Sequence, residues 1–348
     1  MKKHKKFHLH NTHITNTISL SSLSHLLTIS YPTPTTVGDG RAMAGRWQVD
    51  KKRIPGTIKA EILRSISKMK EKKFLPFGIT VQGRLVEFAR PAVMGILNVT
   101  PDSFYDGGRH TGAEAAVEHA RWLVAEGADI VDLGVVSSRP GAVLPPAEEE
   151  AEMLRKYIKL IRSALPDIIL SADTCRSLPA QAAVEAGADI VNDISGGLFD
   201  DRMFDTVAAL QVPYILMHNR GLPGEMQQMT GYDDIVDDLT KFFSCRLDRL
   251  YRLGVKDIWL DPGFGFAKSI EENYDLLMRL DELTSLFREP LLTALSRKSM
   301  IYRKLDSTPD EALNGTIALD AIALSKGSRL LRVHDPRPAR ETIKLLYE

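Results

Sequence analysis

The sequence predicts an α/β fold, a (β/α)8 barrel of the TIM type, on three observations. Eight short apolar runs recur along the chain, amphipathic helical patterns separate them, and one phrase returns in register sixty residues later. Glu126-Gly-Ala-Asp-Ile-Val-Asp-Leu133 comes back as Ala186-Gly-Ala-Asp-Ile-Val-Asn-Asp193, with looser copies at Leu253-Gly-Val-Lys-Asp-Ile-Trp-Leu-Asp261 and Lys326-Gly-Ser-Arg-Leu-Leu-Arg-Val333. Each copy is a glycine suited to ending a helix in left-handed geometry, followed by a short apolar strand. A period near sixty holds two strand–helix units, so a further strand belongs between copies. Asp167-Ile-Ile-Leu-Ser-Ala-Asp173 and Val212-Pro-Tyr-Ile-Leu-Met-His218 fill those places.

Residues 1–42 stand apart from the rest. They hold Lys2, Lys3, Lys5 and Lys6 and five of the nine histidines, are rich in Ser and Thr, and have Asp39 as their only acid. Such a composition buries no core and is expected to be disordered. A transit peptide would carry arginines along an amphipathic helix, but the first arginine here is Arg41. The spacing of His4, His8, His10, His13 and His25 matches no metal-ligand pattern. The expectation is an upstream extension without a role, ahead of a start at Met43 or Met69. Residues 43–77 are basic and weakly patterned, and no element is assigned to them. Residues 78–348 are assigned to the barrel.

Gly78-Ile-Thr-Val-Gln-Gly-Arg-Leu-Val-Glu-Phe88 alternates around a Gln-Gly turn and reads as a hairpin closing the barrel floor. The first barrel strand is Pro91-Ala-Val-Met-Gly-Ile-Leu-Asn98 and the seventh is Pro290-Leu-Leu-Thr-Ala-Leu-Ser296. The first helix shows in Ala116, Val117, Ala120, Leu123 and Val124, which recur at three- and four-residue spacing. The other helical patterns run over 146–163, 177–186, 200–209, 233–253, 270–286, 309–326 and 336–347. Continuous apolar strands alternating with amphipathic helices indicate a parallel sheet covered on its outer face. Eight such units fit a closed barrel of about 250 residues. The fold alternative is an open doubly wound sheet, but its glycine-rich phosphate fingerprint after the first strand is missing.

The 348 residues are 44% hydrophobic and 26% charged with a formal net charge of +0. That balance gives no global field to attract nucleic acid or an anionic membrane, so any bound anion must be held by a local cluster. Cys175 and Cys245 lie far apart in the sequence, outside any CxxC pair, and read as reduced thiols of a cytoplasmic protein. No apolar run is long enough to span a bilayer.

In such a barrel the active site forms where strands end and βα loops begin. The eight exits are unusually polar. They read Asn98-Val-Thr-Pro-Asp-Ser-Phe-Tyr-Asp-Gly-Gly108, Ser137-Ser-Arg-Pro-Gly-Ala142, Asp173, Asn192-Asp193, Met217-His218-Asn219-Arg220, Asp261-Pro-Gly-Phe-Gly-Phe266, Ser296-Arg-Lys-Ser299 and Arg332-Val-His-Asp335. Singly, an Asp or Asn there is commonly a helix N-cap, and Lys298 or Arg139 a solvated charge. Together they converge on one mouth, where crowded charges cost free energy unless a ligand or partner matches them. Arg139, Lys298, Arg332 and His334 are cationic or can be, and suit a phosphate or diphosphate. Asp173, Asn192 and Asp261 suit the amino and ring N–H donors of a flat heterocycle. No Ser-His-Asp spacing and no candidate metal triad is present in the sequence.

These exits, in this order, resemble the dihydropteroate synthase family over roughly residues 93–347. Asn98-Val-Thr-Pro-Asp-Ser-Phe104, Leu260-Asp-Pro-Gly-Phe-Gly-Phe266, Ser296-Arg-Lys-Ser299 and Arg332-Val-His-Asp335 carry the resemblance. It implies condensation of 6-hydroxymethyl-7,8-dihydropterin diphosphate with 4-aminobenzoate by magnesium-assisted departure of diphosphate and attack of the aniline nitrogen. The family resemblance further implies that Asn98 meets the magnesium and that Arg332 and His334 hold the leaving group. Asp173, Asn192, Asp261 and Lys298 would bind the pterin, with Met217 packed on its ring. Ser138, Arg139 and Pro140, with Phe104 and Phe266, would shape the 4-aminobenzoate site. Ser299 would receive that substrate's carboxylate at a helix N-terminus. The family is also similar in being dimeric, cytoplasmic and a sulfonamide target.

The sequence departs from the family pattern in Gly134-Val-Val-Ser-Ser-Arg-Pro-Gly141, where Val135 and Val136 replace a small and an acidic residue and Ser138 replaces Thr. The serine keeps the hydroxyl, while the valines bear on loop mobility and on sulfonamide sensitivity. Ala267 stands where the family often has Gly. Three other readings compete. A pterin-binding methyltransferase domain would need no diphosphate site, a Schiff-base aldolase would use Lys298 and be trapped by borohydride, and a silent paralogue would show decayed motifs.

Overall fold

The computed structural model describes residue 74 and residues 76–348, apart from 100–111, 137–143, 222–224 and 226–227. The segments 1–42 and 43–73 therefore lie outside the described residues, as do Phe104, Ser138, Arg139 and Pro140.

An antiparallel hairpin, β1 (Phe77–Val81) and β2 (Arg84–Phe88), comes first. Its turn is Gln82-Gly83, both at positive φ (49° and 75°), the pairing that matches strand twist in two-residue hairpins. The barrel strands are β3 (Ala92–Asn98), β4 (Ile130–Gly134), β5 (Ile169–Asp173), β6 (Ile190–Asp193), β7 (Tyr214–Met217), β8 (Ile258–Asp261), β9 (Leu292–Thr293) and β10 (Leu330–Val333). Each pairs in parallel with its sequence neighbour from β3 to β8, and β10 lies between β9 and β3. A parallel bridge between Leu260 and Leu291, with Leu260 N–H donating to Pro290 O at 3.0 Å, joins β8 to the approach of β9 and closes the ring.

Around it run α1 (Gly112–Ala125), α2 (Ala147–Ala164), α3 (Ser177–Glu185), α4 (Met203–Leu210), α5 (Ile235–Arg252), α6 (Ile270–Met278), α7 (Leu280–Leu286), α8 (Ser299–Tyr302), α9 (Leu313–Ser325) and α10 (Pro336–Tyr347). Two expectations need correction. The pattern over 270–286 is two helices broken at Arg279, and the seventh strand shrinks to two residues, with Pro290 at its approach lacking an N–H for the ladder.

The repeated phrase has a mechanical meaning. Gly127 and Gly187 take φ of 101° and 114°, which ends the preceding helix. The acid two residues on accepts a strand N–H: Asp129 from Val93 and Asp189 from Leu170, at 2.8 and 2.9 Å. An arginine braces each copy, Arg340 on Gly127 O and Asp129, and Arg162 on Gly187 O and Asp189.

Strand side chains alternate between barrel interior and helix layer. The floor of the interior is apolar, with Met94, Ile130, Ile190, Ile215, Trp259, Leu292 and Leu330 packed against Phe77, Ile79 and Phe88 of the hairpin. The hairpin thus plugs the floor as expected, and Thr80 N–H and the Gln82 amide fasten it to Asp257 and Asp189. Two residues further along the strands, the inward positions turn polar at Asp132, Ser171, Asn192, Asp261 and Arg332. The next inward positions are Asn98, Asp173, Ser296 and His334. The fold therefore places the polar set at one end by strand parity alone.

Candidate active site

Arg332 organises the mouth. Its Nε donates to Asp132 Oδ2 on β4 and its Nη2 to Asp173 Oδ2 on β5, each at 2.7 Å. Asn192 Nδ2 donates to the same Asp132 oxygen at 2.9 Å. Burial opposes the Arg332 charge, but Asp132 and Asp173 outweigh it and hold the guanidinium firmly protonated. Asp173 is raised to about 7, by burial first and then by Asp132, Glu150 and Asp193, against the pull of Arg332. Three of the expected site residues are thus drawn together, with Asp132 as a fourth that sequence reasoning missed. Asp132 is fully buried, and its Oδ1 is a buried atom without a hydrogen-bond partner. A signal existed, because the repeat aligns Asp132 with Asn192, the residue it bonds.

Across the mouth, Asp261 accepts Gly263 N–H at 2.7 Å, partly the bland turn role open to such residues. Burial raises its pKa, opposed chiefly by Lys298. Lys298 donates to the Phe264 carbonyl and lies 4.8 Å above the Phe266 ring. Burial lowers its pKa to about 8, with Arg332 adding to the effect and Asp261 resisting it. Met217 is buried beside Asp261 in the β7–β8 register. Ala267, in place of a glycine, takes φ of 48°, a left-handed conformation that costs about 1 kcal/mol in a residue with a Cβ. The Tyr232 hydroxyl caps its carbonyl at 3.0 Å.

Burial, then Arg332 and Arg297, lower the His334 pKa to about 4, which favours the neutral ring at neutral pH. Ser296 Oγ accepts the His334 backbone N–H at 3.2 Å and lies 3.0 Å from Nδ1. The hydroxyl keeps both a proton and a second lone pair for Nδ1, so it is a partner for that nitrogen in either tautomer. The beginning of the Ser296-Arg-Lys-Ser299 turn is held by Arg297, which takes φ of 57° and grips Asp335 with two N–H groups. Ser299 opens a helix of only four residues, so the dipole expected to favour a carboxylate there is small. Asn98 sits at the exposed rim, its carboxamide oxygen 3.1 Å from where a side chain on Gly134 would begin.

A family model described as pterin binding enzyme matches residues 94–334. Dihydropteroate synthase of Streptococcus pyogenes serotype M3 is 40% identical over 270 residues, 76% of this chain and 98% of the relative. The chain belongs to the dihydropteroate synthase family. A solved structure of Xanthomonas albilineans dihydropteroate synthase with 4-aminobenzoic acid superposes with a TM-score of 0.71 at 38% identity, covering 77% of this chain and 96% of that one. Another from the same organism, in complex with 7,8-dihydropteroate, gives 0.69 at 37% identity over 77% and 97% of the two chains. The polar residues of the mouth separate by sign around the ring. Acids and amide stand on β4 to β6 and β8, and basic groups on β10 and just beyond β9.

Proposed function

We propose that the chain condenses 6-hydroxymethyl-7,8-dihydropterin diphosphate with 4-aminobenzoate, giving 7,8-dihydropteroate and diphosphate. The observation that carries the reading is Arg332 fastened to both Asp132 and Asp173, with Asn192 on the same carboxylate. One cluster thereby holds acceptors for the amino and ring N–H groups of a pterin beside a cation for the departing anion. In the reaction the methylene–oxygen bond breaks with its electron pair on diphosphate, a carbon–nitrogen bond forms to the aniline, and the aniline nitrogen gives up one proton. The electron-rich pterin carries the developing positive charge, so no enzyme nucleophile is required. The chain's own work is positioning and anion stabilisation.

Asp173, Asn192 and Asp261 would accept from the pterin edge, Met217 would pack on its ring, and Lys298 would bind beside Asp261. Arg332 and His334 would face the diphosphate. Phe104, Ser138, Arg139, Pro140, Phe266 and Ser299 complete the 4-aminobenzoate site in this reading. Magnesium suits the rim. Among the described residues no three His, Cys, Asp or Glu side chains cluster as metal ligands. A magnesium ion held mainly by diphosphate needs only one or two protein oxygens, and the Asn98 carboxamide is such a donor. When bound, the ion would neutralise charge on the leaving group. Lys298 as a Schiff-base lysine finds less support, since its ammonium is already committed to the Phe264 carbonyl.

We propose a homodimer, which would cover the half-exposed Leu313, Ile317, Ala321 and Ile322 of α9. The cytoplasm fits the two free cysteines.

The deciding assay supplies the pterin diphosphate, magnesium and 4-aminobenzoate, and follows diphosphate and dihydropteroate together. Release of the two in equal amounts is expected, and diphosphate release without incorporation of 4-aminobenzoate would overturn the reading. His334→Ala removes one group facing the leaving group. Single-turnover chemistry is expected to slow by roughly 100-fold while the pterin dissociation constant changes less than about threefold. An unaltered single-turnover rate would remove His334 from that role.

A further inference from the structure

Lys268 is almost fully buried, 4% exposed, directly behind the loop that follows β8. Lysine is rarely so enclosed unless its charge is matched and its protons are accepted. Here the three ammonium protons have three acceptors: Gly263 O at 3.0 Å, Phe266 O at 3.1 Å and His218 Nδ1 at 3.0 Å. His218 is itself buried, and burial, with Lys268 next, keeps its ring neutral and able to accept.

The loop these contacts hold has little freedom left. Gly263 takes φ of 70°, and a Cβ there would come within 2.0 Å of His218 O. Gly265 N–H donates to Asn273 Oδ1 at 2.7 Å, and Asn273 Nδ2 returns to Lys268 O at 3.2 Å. The loop delivers two groups to the mouth, Asp261 at its start and the Phe264 carbonyl that receives Lys298. Lys268 also acts through charge. Burial lowers its pKa to about 7, with Asp261 the foremost group resisting that shift, and Lys268 is in turn among the cations that favour ionised Asp261.

We propose that Lys268 is a positioning residue for the condensation, its buried ammonium fixing the Asp261–Phe266 loop so that Asp261 meets the pterin edge and Lys298 is held beside it. This rests on the pterin-diphosphate reading above. It bears mainly on the pterin, to which Asp261 and Lys298 are assigned, while the loop's share of the 4-aminobenzoate site is Phe266 alone.

The test compares Lys268→Met and Lys268→Gln in the full chain with wild type. Wild type is first assayed with both substrates, and its failure to form dihydropteroate would sink the functional reading rather than this inference. Glutamine still donates to two carbonyls, so it keeps much of the loop while removing the charge, and it decides the matter if the methionine variant does not fold. In Lys268→Gln the dissociation constant for the pterin diphosphate is expected to rise roughly 10- to 100-fold, with the KM for 4-aminobenzoate within about twofold of wild type. Pterin affinity equal to wild type would overturn the proposal. So would parallel losses for both substrates, which mark general loosening rather than positioning.

Discussion

Arg332→Ala is expected to lower turnover by about three orders of magnitude or more and to cost the protein stability at the same time. The guanidinium is the shared partner of two carboxylates, one fully buried and one 14% exposed. Removing one partner of a buried ion pair leaves uncompensated charge, typically worth 3–5 kcal/mol. The lower part of that range, about 3 kcal/mol, is appropriate because Asp173, already raised to about 7, takes up a proton and relieves the repulsion. For a domain of this size that corresponds to a fall in Tm of roughly 6–12 °C. Chemistry suffers twice, through the lost cation facing diphosphate and through a protonated Asp173 that no longer accepts from the pterin. Slowed diphosphate release with pterin binding spared is therefore the outcome expected of His334→Ala and not of Arg332→Ala. Calorimetric melting together with pterin titration checks both halves. A variant that melts like wild type would show that the Asp132–Arg332–Asp173 link is not fastened in solution.

The eight strands were legible because parallel strands buried on both faces are written as unbroken apolar runs, and because helix-closing glycines repeat ahead of them. The polar exits were legible for the same reason, each being the first departure from an apolar run. Asp132 escaped because it lies inside such a run, where Ile130-Val-Asp-Leu133 reads as strand interior. Its inward direction follows only once the alternation is anchored by a neighbour. What a sequence does not encode locally is who is already paired with whom. Arg332 reads as a free cation until the fold brings β10 within reach of β4 and β5, 200 and 159 residues away in the chain. His334 reads as a possible cation until burial and the nearby arginines make the charge too costly. Nothing local in the sequence marks Lys268 as enclosed, and only the surrounding His218 and loop carbonyls show that it is. The break at Arg279 has no proline or glycine to announce it.

Pterin binding is expected to weaken as pH falls through about 7, and Asp173 is the group responsible. The ionised carboxylate accepts from the pterin edge, whereas the protonated form presents a hydrogen to donors and loses the contact. With a value near 7, the ionised fraction changes from about one-tenth at pH 6 to about nine-tenths at pH 8, so affinity should improve roughly tenfold over that interval. The sign for stability is the opposite. Between the unfolded carboxylate value near 4 and the folded value near 7, the native state holds a proton that the unfolded chain has released. This group's contribution to stability is therefore full below about pH 4 and declines as pH rises to 7. Binding and stability should thus run in opposite directions across the same window, a pairing that general acid unfolding does not produce. Asp173→Asn removes the titration but leaves an amide where an anion stood. Affinity is expected to drop about 100-fold at pH 8 and to lose its slope between pH 6 and 8. Titrating the pterin into wild type and Asp173→Asn at several pH values settles the assignment. A slope that survives in the asparagine variant would transfer the titration to Asp261, the other buried carboxylate of the mouth whose pKa burial raises.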